Sequence, residues 1–337
     1  MPEWSPERLA ARMPFLEARA RLTAATRAWF GARGYREVET PCLVPAPGME
    51  VHLRGFPSEY EPHLGQGRRR RLWLRTSPEM ALKRLLAGGA GPVFELARVW
   101  RNGEVGDRHA PEFTMLEWYR PGLPLDGLMD EAEALLRDLC APRVSFGGVE
   151  TDLSLPFERI TCAEAFGRWA GVDLLASLRP DGTGDAAALG AREGESWEDT
   201  FFRLLLDHVE PHLGRERASF LTHWPAPQAA LSRRDPSDPR VALRFELFAA
   251  GIELANAFDE LTDEAEQRAR FAHDTAERER LYGAEAAWPV DEDFLQAVGQ
   301  MPSGSGIALG FDRLAMLAAG ARRIEDVLWL GRFPYED

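Results

Sequence analysis

The chain has 337 residues, is 45% hydrophobic and 28% charged, and carries a net charge of −14, which excludes wholesale disorder and fits a folded globular protein. The acidic balance argues against sequence-independent binding along a nucleic-acid backbone, which usually relies on a basic surface, so no stable nucleic-acid binding is expected. No run of about 18 apolar residues exists and the N-terminus lacks a basic segment followed by an apolar one, so the expected location is cytoplasmic, with no membrane contact.

After a short tail, Ser5-Pro6-Glu7 opens a helical pattern in which Phe15, Leu16, Leu22, Ala25, Trp29 and Phe30 recur at helical spacing up to Gly31 and Gly34. In domain terms, 1–14 is taken as an N-terminal tail and 15–337 as one domain. A strand over 35–41 follows, ending in Pro41 at an edge or interface. Arg68 to Arg71, after Gly65-Gln66-Gly67, read as a solvated hairpin turn rather than a nucleic-acid patch. A strand over 72–75 leads to a helix start in which Ser77 caps, Pro78 fills the first turn and Glu79 faces the positive helix end.

Lys83 is the only lysine; arginine supplies the remaining positive charge, which biased codon composition explains. Two strands, 94–104 and 108–119, are joined by a charged loop, and alternation puts Glu117 and Tyr119 on one face of the second. A helix over 126–140 precedes a variable connection, 141–190, with short helices. Strands at 219–225, 244–248 and 251–262 follow, with Gly251 in the turn, and 303–313 leads into a last helix. Hairpin-connected strands among helices give an α+β domain built on an antiparallel sheet. Cys42, Cys140 and Cys162 are odd in number and lack CxxC spacing, so they read as buried structural thiols.

The residues suggest a two-part site. Arg101, where the first strand of the pair ends, and Arg313, on the first turn of a helix behind Gly304-x-Gly306-x-x-x-Gly310, suit phosphoryl oxygens. Glu246 and Glu253 on neighbouring strands suit a Mg²⁺ bridge to phosphate. Glu79, Glu117 and Glu260, with Tyr119, can surround ammonium groups, since carboxylates flanked by apolar residues are costly to bury uncompensated.

Five ordered blocks resemble a class II lysyl-tRNA synthetase catalytic core, and more specifically its short paralogues, the elongation factor P (R)-β-lysine ligases. Residues 34–41, 93–119 and 306–317 resemble class II motifs 1, 2 and 3. Thr76-Ser77-Pro78-Glu79 and Gly251-Ile252-Glu253-Leu254-Ala255-Asn256-Ala257-Phe258-Asp259-Glu260-Leu261-Thr262 resemble lysine-specific members. The resemblance runs from about Phe15 to the C-terminus, with no room for an N-terminal OB domain ahead of motif 1.

That resemblance implies a class II synthetase fold and an ATP-dependent, Mg²⁺-assisted ligase. Such an enzyme activates (R)-β-lysine as an acyl-adenylate and passes it to a lysine side chain of elongation factor P. It implies catalytic roles for Arg101 and Arg313 and an ATP site of Arg101, Asn102, Gly103, Glu104, His109, Ala110, Glu253, Leu254, Gly310 and Arg313. It further implies an amino-acid site of Ser77, Pro78, Glu79, Glu117, Tyr119, Asn256, Glu260 and Ala308, a metal pair Glu246 and Glu253, and a homodimer through motif 1. Ala308, where tRNA enzymes carry glycine, narrows the pocket in a way that suits a β-amino acid. The sequence departs from the family pattern at Gly103, Ala110, Ala257 and Asp259, and the first two place the ATP loop in question. The alternatives are a lysine-activating enzyme that acylates tRNA or another small acceptor, and a catalytically silent synthetase-like subunit.

Overall fold

The computed structural model describes residues 4–62, 68–179, 181, 183–229 and 231–330. Its centre is an eight-stranded sheet of β1 (Arg36–Glu37), β2 (Val93–Trp100), β3 (Glu112–Pro121), β4 (Glu158–Thr161), β5 (Ser219–Pro225), β6 (Val241–Ala249), β7 (Ile252–Asp259) and β8 (Gly304–Gly310). The spatial order is β1-β2-β3-β8-β7-β6-β5-β4. The six inner strands pair antiparallel, whereas each edge strand runs parallel to its neighbour, so the α+β class holds with a sheet that is mixed at its two margins.

Side-chain alternation divides this sheet into a packed face and a functional one. Phe94 and Trp118 point to the packed face, where Phe30 of α1 (Pro6–Ala32) stacks on Phe94 at 4.5 Å and meets Trp118 edge-on at 5.3 Å. Helix α3 (Leu125–Leu139) buries Leu128, Ala132 and Leu135 in the same core, and α4 (Phe311–Ala319) adds Leu314 and Met316. Burying each such side chain is worth about 1.5–3 kcal/mol, which leaves the opposite face free for polar groups.

Local chemistry explains the turns. Ala250 and Gly251, at φ 53° and 68°, join β6 to β7 with both central residues left-handed, the two-residue turn that matches strand twist. Gly147 and Gly148, at φ 57° and 84°, make the same kind of turn between Arg143–Phe146 and Val149–Asp152. That hairpin and β4 correct the expectation of a connection with only short helices over 141–190.

Other boundaries also move. Helix α1 begins at Pro6, capped by Ser5, so residue 14 lies inside it and not at a domain edge. The strand expected over 35–41 is paired only at Arg36 and Glu37, leaving Pro41 outside it. Arg70 and Arg71 belong to a second, three-stranded sheet (Leu43–Val44, Phe56–Tyr60, Arg70–Leu74), and Arg69 is held by Glu59 at 3.1 Å and Glu61 at 2.6 Å. Gly65, Gln66 and Gly67 lie outside the described residues. All three cysteines are free, but only Cys162 is buried; Cys42 and Cys140 are half-buried. Among the described residues, no helix is long and apolar enough to cross a membrane.

Candidate active site

The functional face is built by period-two alternation on three adjacent strands. Phe113, Met115, Glu117 and Tyr119 of β3, Leu254, Asn256 and Phe258 of β7, and Gly306, Ala308 and Gly310 of β8 all line one cavity. Register sets Glu117, Ala308 and Asn256 in one row, and Tyr119, Gly306 and Phe258 in the next. The small residues of β8 keep the middle open. A Cβ on Gly306 would stand 2.1 Å from the Tyr119 ring and 2.4 Å from Glu260 Oε1, so no larger residue fits there. The space not filled by atoms is about 940 Å³, part of it open solvent.

One end of the cavity is acidic and buried. Glu117 is fully buried and accepts hydrogen bonds from Ser77 Oγ at 2.6 Å and Tyr119 Oη at 2.9 Å. Burial, reinforced by the neighbouring Glu79 charge, pushes its carboxyl up to about 8. Ser77 is fixed in turn because its Oγ accepts the Glu79 backbone N–H at 2.9 Å. Helix α2 (Glu79–Ala87) therefore starts one residue later than the sequence suggested, with Pro78 as its N-cap. Lys83 Nζ lies 2.6 Å from both Glu79 Oε1 and Glu260 Oε2, and burial raises both carboxyls against the pull of that ammonium. Glu260 Oε1 is buried with no hydrogen-bond partner among the described residues. An unpaired buried carboxylate oxygen is costly, and a cationic ligand would relieve it.

The other end is basic and half-exposed. Arg313 Nη1 donates to the Glu253 backbone carbonyl at 2.7 Å and lies 3.3 Å from its carboxylate. Its Nη2 donates to His109 Nε2 at 2.6 Å. Burial, with the Arg313 and Arg108 charges, pushes His109 down to about 4, so the imidazole is neutral and its Nε2 accepts. Arg101 lies over the Phe113 ring at 5.4 Å and 3.8 Å from Glu104, and its Nε donates to the Thr76 carbonyl at 3.4 Å. Gly103 has φ 88°, so this position is a left-handed turn that carries Glu104 into the cavity wall. Ala110 is buried in the main apolar cluster, where an amide side chain would need partners of its own.

A metal would meet only two carboxylates. Glu246 is buried and bonded by Arg244 Nη2 at 2.6 Å, while Arg244 Nε donates to Asn256 Oδ1 at 3.1 Å. Burial and the Glu253 charge both raise the Glu246 carboxyl, a repulsion that a shared cation would remove. Among the described residues there is no group of three or more His, Cys, Asp and Glu poised for a metal. The pair therefore fits a Mg²⁺ ligated largely by phosphate and water, and not a closed protein cage.

Most of the expected residues converge here. Ser77, Glu79, Arg101, Glu104, His109, Ala110, Glu117, Tyr119, Glu253, Leu254, Asn256, Ala308, Gly310 and Arg313 all line the cavity. Pro78, Asn102, Gly103, Glu246 and Glu260 do not. Asn102 is exposed and its backbone N–H donates to the Arg54 carbonyl at 2.8 Å; Pro78 caps a helix, and Glu246 and Glu260 are engaged by Arg244 and Lys83. Asp259, a departure from the family pattern, is engaged by Arg233 at 2.6 Å, and Ala257 is core.

Several lining residues went unmarked in the sequence. Phe113, Met115 and Phe258 carried a usable signal, because they share strand parity with Glu117 and Asn256. Glu50, Arg108 and Asp312 carried none. Asp312 is buried, lies 2.5 Å from Arg19 of α1 and accepts the Thr114 N–H at 3.0 Å, locking α4 to β3 at the cavity edge.

Comparison with known proteins agrees with this geometry. The family model for class II tRNA synthetases (D, K and N) matches residues 8–334. A protein of Salmonella paratyphi B, named elongation factor P–(R)-β-lysine ligase, is 41% identical over 331 residues, 96% of each chain. One of Salmonella arizonae with the same name is 42% identical over the same share.

Proposed function

Because this chain belongs to the class II tRNA synthetase family of the D, K and N type, we propose that it is an ATP-dependent ligase that activates (R)-β-lysine and transfers it to a lysine side chain of elongation factor P. The observation that carries the assignment is the polarity of one cavity: fully buried Glu117 at one end, Arg101 and Arg313 at the other. A diamino acid laid along it has its ammonium groups among Ser77, Glu79, Glu117, Tyr119, Asn256 and Glu260. Its carboxylate then points toward the arginines. Ala308, between Glu117 and Asn256 in register, trims the space beside the amino groups.

In the first step, the substrate carboxylate attacks the α-phosphorus of ATP, forming the acyl-adenylate and releasing pyrophosphate. Arg101 and Arg313 donate to phosphoryl oxygens as negative charge builds on them, and neutral His109 holds the Arg313 guanidinium. Glu246 and Glu253 would hold Mg²⁺, which supplies neutralisation of phosphate charge. In the second step, the acceptor amine attacks the adenylate carbonyl and AMP leaves. Both steps gain from fixed orientation more than from proton transfer.

The enzyme is cytoplasmic and works as a homodimer in this proposal. Amino-acid-dependent exchange of labelled pyrophosphate into ATP tests it directly: exchange with (R)-β-lysine above α-lysine is expected, and none with either would sink it. Intact-mass measurement of elongation factor P after incubation tests the acceptor. A mass that stays fixed while tRNA becomes charged would move the assignment to a tRNA-acylating enzyme.

A further inference from the structure

Lys83 is the sole lysine of the chain, and its side chain is 2% exposed. It stands one helical turn from Glu79 on α2 and reaches Glu260 just past β7, at 2.6 Å from each. Lys83 does not line the cavity, so its ammonium acts from behind the wall. A compact ammonium fits between two carboxylates where a planar guanidinium would not. Leu82, Leu86, Val93, Tyr119 and Met301 form an apolar cluster beside it, so this cation is kept in an otherwise dry place.

The charges at this end can be counted. Glu79, Glu117 and Glu260 are buried, and Lys83 is the only cation that pairs with any of them among the described residues. Glu117 has only the Ser77 and Tyr119 hydroxyls, while Arg84 turns away to Asp291 and Asp293 at 2.6 and 2.7 Å. Exposed Glu50 faces the cluster from the solvent side. Once a bound ammonium has displaced the proton that burial favours on Glu117, three carboxylates against one ammonium leave a deficit of two positive charges. A diamino acid brings two ammonium groups.

We infer that Lys83 is a specificity-determining positioning residue: by pairing with Glu79 and Glu260 it fixes the site's deficit at two positive charges, which a substrate with two ammonium groups fills. This rests on the proposed function and names a residue that does not touch substrate. Without Lys83, Glu79 and Glu260 lose the ammonium that favours their charged forms, so they hold protons more tightly and donate where they should accept.

The test combines a variant with a wild-type measurement. In Lys83→Met, pyrophosphate exchange at pH 7 is expected to show a KM for the diamino acid raised about tenfold or more, recovering toward pH 9. The KM for ATP stays within about twofold. Equal loss for both substrates, or an unchanged amino-acid KM, overturns the assignment. Should the variant not fold, wild-type protein labelled with [¹³Cε]lysine decides, because one lysine gives one signal. That signal is expected to stay at its charged position above pH ~10.4 and to move on adding the diamino acid but not ATP alone. A signal that titrates as an ordinary lysine, or ignores the diamino acid, overturns it. Wild-type enzyme without exchange on any diamino acid would instead sink the proposed function.

Discussion

The two ends of the cavity solve opposite electrostatic problems by opposite means. At the acidic end, the carboxylates sit on rigid elements, β3 and α2, are buried, and are held by hydroxyls and one ammonium. At the basic end, Arg101 and Arg313 retain 24% and 21% side-chain exposure and lean on exchangeable partners, Glu104, Glu253 and His109. Rigidity and desolvation suit recognition of a small fixed cation; looser arginines suit phosphates whose charge and position change during reaction.

The largest test of this contrast is Arg313→Ala, expected to lower kcat for exchange by ~10²–10³-fold with little change in amino-acid KM, as for loss of one preorganised donor. A variant that mainly loses amino-acid affinity would break the division. Next, Glu117→Gln removes a charged partner worth ~1.5–3 kcal/mol, so kcat/KM for the diamino acid falls ~10–100-fold. Steady-state kinetics at saturating ATP should show the ATP KM unmoved.

The pH dependence sharpens the same comparison. Glu117 in the empty site titrates near 8, so binding an ammonium below that pH displaces a proton and the amino-acid KM improves as pH rises from about 6 to about 8. Stability runs the other way. A carboxyl raised by folding contributes fully below its unfolded value and loses that contribution as pH climbs through about 8. Melting of the ligand-free protein should therefore fall across that window, and Glu117→Gln should flatten the fall. The smallest expected effect is Ala308→Gly: a several-fold shift toward α-lysine in competition assays, with ~0.5–1 kcal/mol lost from strand entropy.

The two ends also differed in how much of them the sequence revealed. Glu117 and Tyr119 were legible because strand parity places residues i and i+2 together whatever the rest of the fold does. The arginine end was legible at Arg101 and Arg313 but not at Arg108, since the intervening loop has no periodicity to read. Asn102 was misplaced for the same reason: a left-handed Gly103 turns the loop and sends Asn102 outward.

Hydrophobic alternation, helix caps and turn residues determined by themselves that this chain forms an antiparallel core with helices, and which side chains share a face. They act over a few residues, so they are written locally. Only the tertiary structure decided that Glu246 is held by Arg244, that Asp312 ties α1 to the site, and that Lys83 neutralises carboxylates from two distant segments. Those facts depend on which strands become neighbours, and on the cost of burying charge, which forces each buried group to find a partner wherever the fold has placed one.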